Sequence, residues 1–394
     1  MYMPISGAEI SPWPLVMIGF CVGVIGGYFG IGGAFMVTPA LNIFGFPMAY
    51  AIGTDMAHIA GKSIVATFRH WRFGHVSIII ALLMIIGTFA GIEAGAQMIR
   101  WLTRLGIAGP VVRWIYIGIL GFLAIYMFSE YFKARKKERE TGVKAKDVVG
   151  TPLSRFFQKD VAVPPVVHCK VAGITISVWV VIFVGCLTGF VAGVLGVGGG
   201  FLRVPALMYI VGTPTKVAVG TDLFEVMISG AYGAFSYSAK GAVELKAAVI
   251  MLLGAAFGAQ FGTLTTKYVY GLFIRFLFAL TIALACTSVI MRQIAYYFEK
   301  VYWSALEAHA LAAGYSKDAI PALKNNMQLM QQMLVTEMNQ PGWFTSYTTY
   351  YWLTKASQYL MLGSALGLSA YILYLCFKGM AKERREKASA SVAK

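Results

Sequence analysis

The chain has 394 residues, of which 58% are hydrophobic and only 13% charged, and its formal net charge is +16. A soluble domain carries about 25% charged residues. This composition, with a mean hydropathy of +0.69, excludes a soluble globular protein and indicates an all-α integral membrane protein. The Lys and Arg residues cluster in loops beside apolar spans, where they set topology, so the positive charge is not read as a nucleic-acid surface.

In chain order, residues 1–60 contain no Lys or Arg, and no small-residue cleavage site follows the first apolar stretch. That stretch is therefore read as a membrane segment and not as a signal peptide. The first half, 1–132, has four hydrophobic segments, at 15–44 (interrupted by glycines), 48–68, 76–99 and 111–132. A polar, basic linker, 133–172, follows, with Lys133, Arg135, Lys136, Lys137, Arg139, Lys144 and Lys146. The second half, 173–296, repeats the pattern at 176–211, 217–238, 247–266 and 272–295. A semi-polar stretch, 297–345, carries Leu323, Met327, Met330, Leu334 and Met338 near helical spacing, as in a surface helix. The region 346–394 holds a last span and a basic tail. Strand alternation is absent, so the spans are expected to be helices of roughly 20 residues each. The five cysteines are scattered, with no CxxC pair, and read as small hydrophobes.

The two halves are related by sequence. Gly27-Tyr28-Phe29-Gly30-Ile31-Gly32-Gly33, continuing to Pro39, is answered by Gly193-Val194-Leu195-Gly196-Val197-Gly198-Gly199-Gly200, continuing to Pro205. Downstream, Gly53-Thr54-Asp55 matches Gly220-Thr221-Asp222, and Gly87, Gly91 and Gly95 match Gly254, Gly258 and Gly262. A duplicated half with a broken helix in matching positions marks a secondary transporter and its binding site. Charge favours three crossings per half plus one, with each broken segment folding back as a re-entrant hairpin. The halves are then inverted. The linker, Arg69, Arg72, Lys267, Arg275 and the tail lie inside, and Arg100, Arg104, Lys240 and Lys246 are the misfits. The two glycine turns are expected to meet near mid-membrane.

Candidate chemistry follows from the residue types. Gly30, Gly32, Gly33, Gly196, Gly198, Gly199 and Gly200 permit positive φ and close approach of a ligand. The helix after each turn starts with free N–H groups that favour an anion. The Gly87 and Gly254 stripes are assigned to close helix packing. Neither turn is a nucleotide loop, because no Gly-Lys-Ser/Thr follows. Arg203, in the first turn after the second break, either holds an oxyanion in bidentate fashion or snorkels to the interface. Asp55, His58 and Lys62 share one helix face at i, i+3 and i+7, and Asp222, Glu225 and Ser229 take the equivalent places. Ionisable groups at membrane depth suggest function by default. The aspartates either carry a proton, pair with Lys62 and Arg203, or cap their helices. Glu93 and Glu244 are read as interfacial.

These features resemble the TauE/SafE sulfite exporter family. The resemblance rests on the Gly-x-Gly-Gly turn, Phe35 and Phe201 after it, Pro39 and Pro205, and the Gly-Thr pairs at Gly53-Thr54 and Gly220-Thr221. It covers residues 15–132 and 173–296. It implies a membrane anion transporter for sulfite, organosulfonates and related small anions in the cytoplasmic membrane, and adds Thr54 and Thr221 to the candidate substrate-binding residues. Two departures stand out: Asp55 and Asp222, where the family commonly has a small polar residue, and the extension 297–394.

The leading expectation is thus an exporter of a small sulfur oxyanion with proton coupling, with no cofactor, no metal and no catalytic residue. A homodimer is left open. One alternative is a metal-cation carrier using Asp55, His58, Asp222 and Glu225. A second is a membrane receptor or scaffold. A third, an intramembrane aspartyl protease, needs Asp55 and Asp222 at one point, but its Gly-x-Gly-Asp and Tyr-Asp signatures are missing.

Overall fold

The computed structural model describes residues 2–7, 9–30, 34–141, 152–159, 163–196, 199–312 and 341–392. Gly32, Gly33, Gly198 and the amphipathic pattern over 322–338 lie outside the described residues. The chain divides into two compact units, Met1–Ala285 with Met361–Lys394, and Cys286–Leu360. In the second unit, Ser288 and Ser357 each donate a hydroxyl to the other's carbonyl at 2.9 Å. Arg292 Nη1 donates to Thr354 Oγ1 at 2.9 Å.

The first half comprises α1 (Pro12–Phe29), α2 (Ala34–Ile43), α3 (Met48–Arg72), α4 (Ile78–Arg104) and α5 (Ala108–Thr141). The linker contains α6 (Pro152–Lys159) and β1 (Val166–Cys169), which pairs antiparallel with β2 (Ile174–Ser177) at the start of the second half. The second half comprises α7 (Val178–Leu195), α8 (Gly200–Ala206) running into a π-turn at Leu207–Val211, α9 (Thr215–Ala239), α10 (Leu245–Thr265) and α11 (Gly271–Ala312). The last helix is α12 (Pro341–Val392). The all-helical expectation holds for the spans. The small hairpin at the end of the linker is a correction, and its short strands left no alternation long enough to read.

Both helix breaks fall at the expected glycines. Gly30 ends α1 with φ 78° and its N–H bonded to Gly26 O at 2.8 Å; Gly196 ends α7 with φ 75° and its N–H bonded to Ala192 O at 2.8 Å. A left-handed residue at a helix end is a glycine signature because it has no Cβ to strain. A Cβ at Gly30 would also meet the Val219 backbone, and one at Gly196 the Ile52 Cα, at 2.6 and 2.7 Å.

The halves interlock through small residues. Gly19, Gly23 and Gly27 of α1 lie against the backbone of Met251, Ala255 and Ala259 on α10, and Gly254, Gly258 and Gly262 face back onto Val16, Phe20 and Val24. The counterpart pair is α4 with α7, where Gly87, Gly91 and Gly95 interleave with Gly185, Gly189 and Gly193. Two facing glycine stripes let the backbones touch, which is how helices associate where lipid removes the hydrophobic drive. The stripes Gly19–Gly27 and Gly185–Gly193 have i, i+4 spacing in the sequence, yet only the structure identifies them as the partners.

The Gly-Thr pairs dock the loops before α10 and α4. Thr54 Oγ1 accepts the Glu244 N–H and Thr221 Oγ1 accepts the Ser77 N–H, each at 2.9 Å. Glu244 and Ser77 are the N-cap residues of α10 and α4. Gly53 and Gly220 beside them leave room for the carbonyls of Ala242 and His75. Replacing Thr54 or Thr221 by valine strands a buried N–H. Each is expected to cost about 1–3 kcal/mol, read as a lower unfolding midpoint that serine largely restores.

Contact order along the helices gives their sense. Gly53, Met56 and Ala60 of α3 meet Tyr237, Gly233 and Gly230 of α9, so these two run antiparallel. Gly53 and Gly61 meet Ala242 and Leu252, so α3 runs with α10, as α1 does. Since α1 and α3 point the same way, the chain between them reverses, and α2 carries it back. Linker elements contact one end of this arrangement. Gln158 Nε2 donates to Val211 O at 2.8 Å, and Cys169 Sγ lies 2.9 Å from Ser77 Oγ. Tyr268, in the loop after α10, donates to Glu383 of the tail at 2.8 Å. Burial and that carboxylate push the Tyr268 hydroxyl up to about 12, so it remains a donor at neutral pH.

Among the described residues, seven helices are long and apolar enough to cross a membrane: α1, α4, α5, α7, α10, α11 and α12. The number matches the seven crossings expected from charge, but the membership differs. Helices α3 and α9 have 25 residues each but are too polar to join them, because they carry the buried ionisable side chains.

Candidate functional site

The ionisable groups on the central pair α3 and α9 form two clusters. In the second half, Arg203 sits in the first turn of α8 and is fully buried. Its Nη1 donates to Asp222 Oδ1 at 3.2 Å and also to Glu225 Oε2. Its Nε donates to Thr188 Oγ1 at 3.3 Å. Asp222 and Glu225 are one turn apart on α9, and Ser229, a further turn on, donates to Glu225 Oε2 at 3.0 Å. The guanidinium folds back over Gly199, where an added Cβ would lie 2.9 Å from Nη2. Arg203 Nη2, Asp222 Oδ2 and Glu225 Oε1 have no hydrogen-bond partner. One guanidinium thus faces two buried carboxylates, and full ionisation leaves an uncompensated negative charge, which is costly at this depth.

In the first half, Asp55 Oδ2 accepts the Thr38 hydroxyl of α2 at 2.9 Å, and His58 Nδ1 lies 3.5 Å from Asp55 Oδ1. His58 Nε2 and Lys62 Nζ are buried without a hydrogen-bond partner, as are Ser63 Oγ, Thr67 Oγ1 and Tyr28 OH. Lys62 is only 2% exposed. Asp55 is the carboxylate whose field reaches Lys62, but no ion pair closes between them. Tyr116 of α5 donates to Leu195 O at 2.9 Å, bracing the end of α7 just before Gly196. Beyond Lys62, His70 Nε2 lies 3.4 Å from Gly27 O.

The structure brings Asp55, His58 and Lys62 onto one face, as the i, i+3, i+7 spacing requires. It joins Asp222 and Glu225 to Arg203 across two elements. Several expectations are corrected. Helix capping by the aspartates fails, because α3 and α9 begin at Met48 and Thr215 behind Pro47 and Pro214. Snorkelling of Arg203 fails, because carboxylates hold it in the interior. The Asp55–Lys62 pair is not a contact ion pair. Glu244, at the N-cap of α10, is buried, and its Oε2 accepts the Ile5 and Ser6 N–H groups at 2.9 and 3.2 Å. Glu93 binds Lys240 at 3.1 Å and Ser236 at 2.6 Å, which gives the misfit Lys240 a local partner.

The two left-handed glycines do not meet either. Gly30 lies on Val219 and Gly196 on Ile52, and Ile52 adjoins Gly53, which contacts Tyr237. Val219 and Tyr237 are roughly 27 Å apart along α9 at the helical rise. Asp55 and Asp222 are likewise separated. Met56 packs on Gly233, and Asp222 lies three turns, roughly 16 Å, further along α9. Two carboxylates do not share a point as an aspartyl protease needs. Among the described residues, no group of three His, Cys, Asp or Glu side chains gathers to hold a metal. Thr38, Thr188 and Tyr116 were not singled out in the sequence; a hydroxyl inside an apolar run gives no periodic signal.

Comparison with known proteins gives the family. The family model described as sulfite exporter TauE/SafE matches residues 15–289. A probable membrane transporter protein, YunE, of Bacillus subtilis is 27% identical over 256 residues, covering 63% of this chain and 86% of its own. The probable membrane transporter protein MJ0441 of Methanocaldococcus jannaschii is 24% identical over 267 residues, 63% of this chain and 84% of its own. YdhB of Bacillus subtilis, also a probable membrane transporter protein, is 24% identical over 263 residues, 65% of this chain and 92% of its own. No solved structure matches. The matched region contains both broken helices and both buried clusters and stops before the extension, and the chain belongs to the sulfite exporter TauE/SafE family of membrane transporters, which are not enzymes.

Proposed function

We propose that this multi-pass membrane transporter exports a small oxyanion of the sulfite or organosulfonate class across the cytoplasmic membrane, coupled to protons. One observation carries the reading: the ionisable groups on α3 and α9, the central pair, lie beside the two broken helices. Buried ionisable groups at membrane depth mark substrate and proton pathways. In this reading the breaks at Gly30 and Gly196 bound a polar interior from opposite ends of α9, since non-helical backbone within a membrane must be buried in protein or line a cavity. Thr54 and Thr221 hold the loops that close it. The halves are inverted across the membrane with the linker and tail inside; the antiparallel α3 and α9 and the common sense of α1 and α3 support that arrangement. A cation carrier is disfavoured because Arg203 already occupies Asp222 and Glu225.

The test is flux in proteoliposomes loaded with sulfite, sulfoacetate or thiosulfate, with and without an imposed pH gradient. Saturable efflux of one anion, changed in rate by the imposed pH gradient and absent from protein-free vesicles, is expected. Folded, reconstituted protein that moves none of the three would overturn the oxyanion assignment.

A further inference from the structure

Arg203, for which one of the two sequence readings was oxyanion ligand, is already engaged. Its Nη1 and Nε reach two carboxylates and a hydroxyl. Lys62, buried on α3, is by contrast a cation without a hydrogen bond among the described residues. One turn before it on the same helix, His58 Nε2 is buried and also unpartnered, while its Nδ1 lies 3.5 Å from Asp55. Asp55 in turn is fixed from α2 by Thr38. A buried ammonium with no acceptor is expensive to hold, and a positioning carboxylate behind an imidazole leaves the far nitrogen facing outward for a ligand. The pseudo-symmetric partners of His58 and Lys62 are Glu225 and Ser229; Ser229 donates to Glu225, which accepts from Arg203. Only the first half therefore presents unpartnered donors at these positions.

We propose that His58 Nε2 and Lys62 Nζ form the seat of the transported oxyanion, and that one proton on His58 accompanies each monoanion. This deepens the anion-transport reading above and rests on it. Charge balance supplies the stoichiometry. In this proposal the empty seat is assigned an Asp55 carboxylate, a neutral His58 and a Lys62 ammonium, which sum to zero. A monoanion added alone leaves a net negative charge in a low-dielectric interior. A monoanion added with a proton on His58 again sums to zero, and the imidazolium then donates from Nδ1 to Asp55 and from Nε2 to the anion, a charge-assisted pair.

The other titratable groups on elements packed against α3 have the following surroundings. On α9, Asp222 and Glu225 bind Arg203. Glu244, the N-cap of α10, binds backbone N–H groups, and Glu93 on α4 binds Lys240. On α5, Tyr116 donates to Leu195 O and also stands against Thr38 and Asp55. Tyr28 on α1 is a neutral hydroxyl, and His70 faces Gly27 O and His75.

The experiment uses full-length protein in proteoliposomes with sulfite and with methanesulfonate, which stays a monoanion throughout the pH range used. A trapped pH dye reads proton movement, and valinomycin with potassium clamps the membrane potential. Wild type is expected to move one proton with each methanesulfonate, at a rate that valinomycin leaves unchanged. Lys62→Met is expected to raise the half-saturating anion concentration about 10–100-fold, the worth of a lost hydrogen bond to a charged group, with Lys62→Arg recovering part of it. His58→Gln is expected to make the residual flux independent of pH and sensitive to valinomycin. Size-exclusion profiles and unfolding midpoints confirm that each variant is folded. Wild-type flux that valinomycin accelerates, or folded Lys62→Met with unchanged half-saturation, would overturn the seat while leaving oxyanion transport standing. Absence of wild-type flux of both anions would overturn the transport reading itself, and the seat with it.

Discussion

Replacing Arg203 by methionine is expected to destabilise the protein by about 3–5 kcal/mol, the usual cost of removing one partner from a buried ion pair, and to abolish transport. Arg203 is fully buried, and two carboxylates and Thr188 converge on it. Without the guanidinium, Asp222 and Glu225 face each other one turn apart with no cation between them. The triple variant Arg203→Met, Asp222→Asn, Glu225→Gln removes the stranded charges together. It is expected to regain most of the unfolding midpoint without regaining transport. Glu225→Gln alone leaves Arg203 paired with Asp222 and is expected to fold. Thermal unfolding in detergent, followed by tryptophan fluorescence, separates these cases. A single Arg203→Met variant as stable as wild type would show that the cluster does not hold α8 on α9.

Leucine at Gly91 or Gly258 is expected to cost more than about 3 kcal/mol, beyond the ordinary range of overpacking penalties, and to prevent accumulation of folded protein. A Cβ at Gly91 would lie 2.5 Å from Phe190 N, and one at Gly258 2.8 Å from Val24 N. These obstacles are backbone atoms of α7 and α1, which no rotamer change can move aside. The helices would have to separate, and the stripes above and below would lose contact with them. Leucine at Gly118 or Gly363, where nothing lies within 4 Å of an added Cβ, is expected to change stability by less than about 0.5 kcal/mol. Expression and monodispersity by fluorescence-detected size exclusion would distinguish the two sets. Equal tolerance at Gly91 and Gly118 would contradict the close α4–α7 interface.

Local features of the chain were legible without coordinates because they depend on a residue and its immediate neighbours. Apolar run length marked the spans, and glycine followed by glycine marked the breaks at Gly30 and Gly196, because only glycine relaxes into the left-handed conformation there. Helical periodicity placed Asp55, His58 and Lys62 on one face. What fails locally is partner choice. The Gly-Thr pairs looked like ligand contacts, and they hold the N-caps of α10 and α4, which lie far away in sequence for Thr54 and across the linker for Thr221. Glu244 was read only as interfacial, and its partner is the N-terminal backbone.

The sequence by itself thus determined the membrane class, the helical backbone, the doubling and the identity of the charged residues, since composition and short-range periodicity suffice for each. Only the tertiary structure decided which charges neutralise each other. That depends on antiparallel packing of α3 against α9 and on α8 folding back to bring Arg203 onto Asp222 and Glu225, a geometry set by long-range glycine contacts. The same packing leaves Lys62 Nζ and His58 Nε2 buried without hydrogen-bond partners.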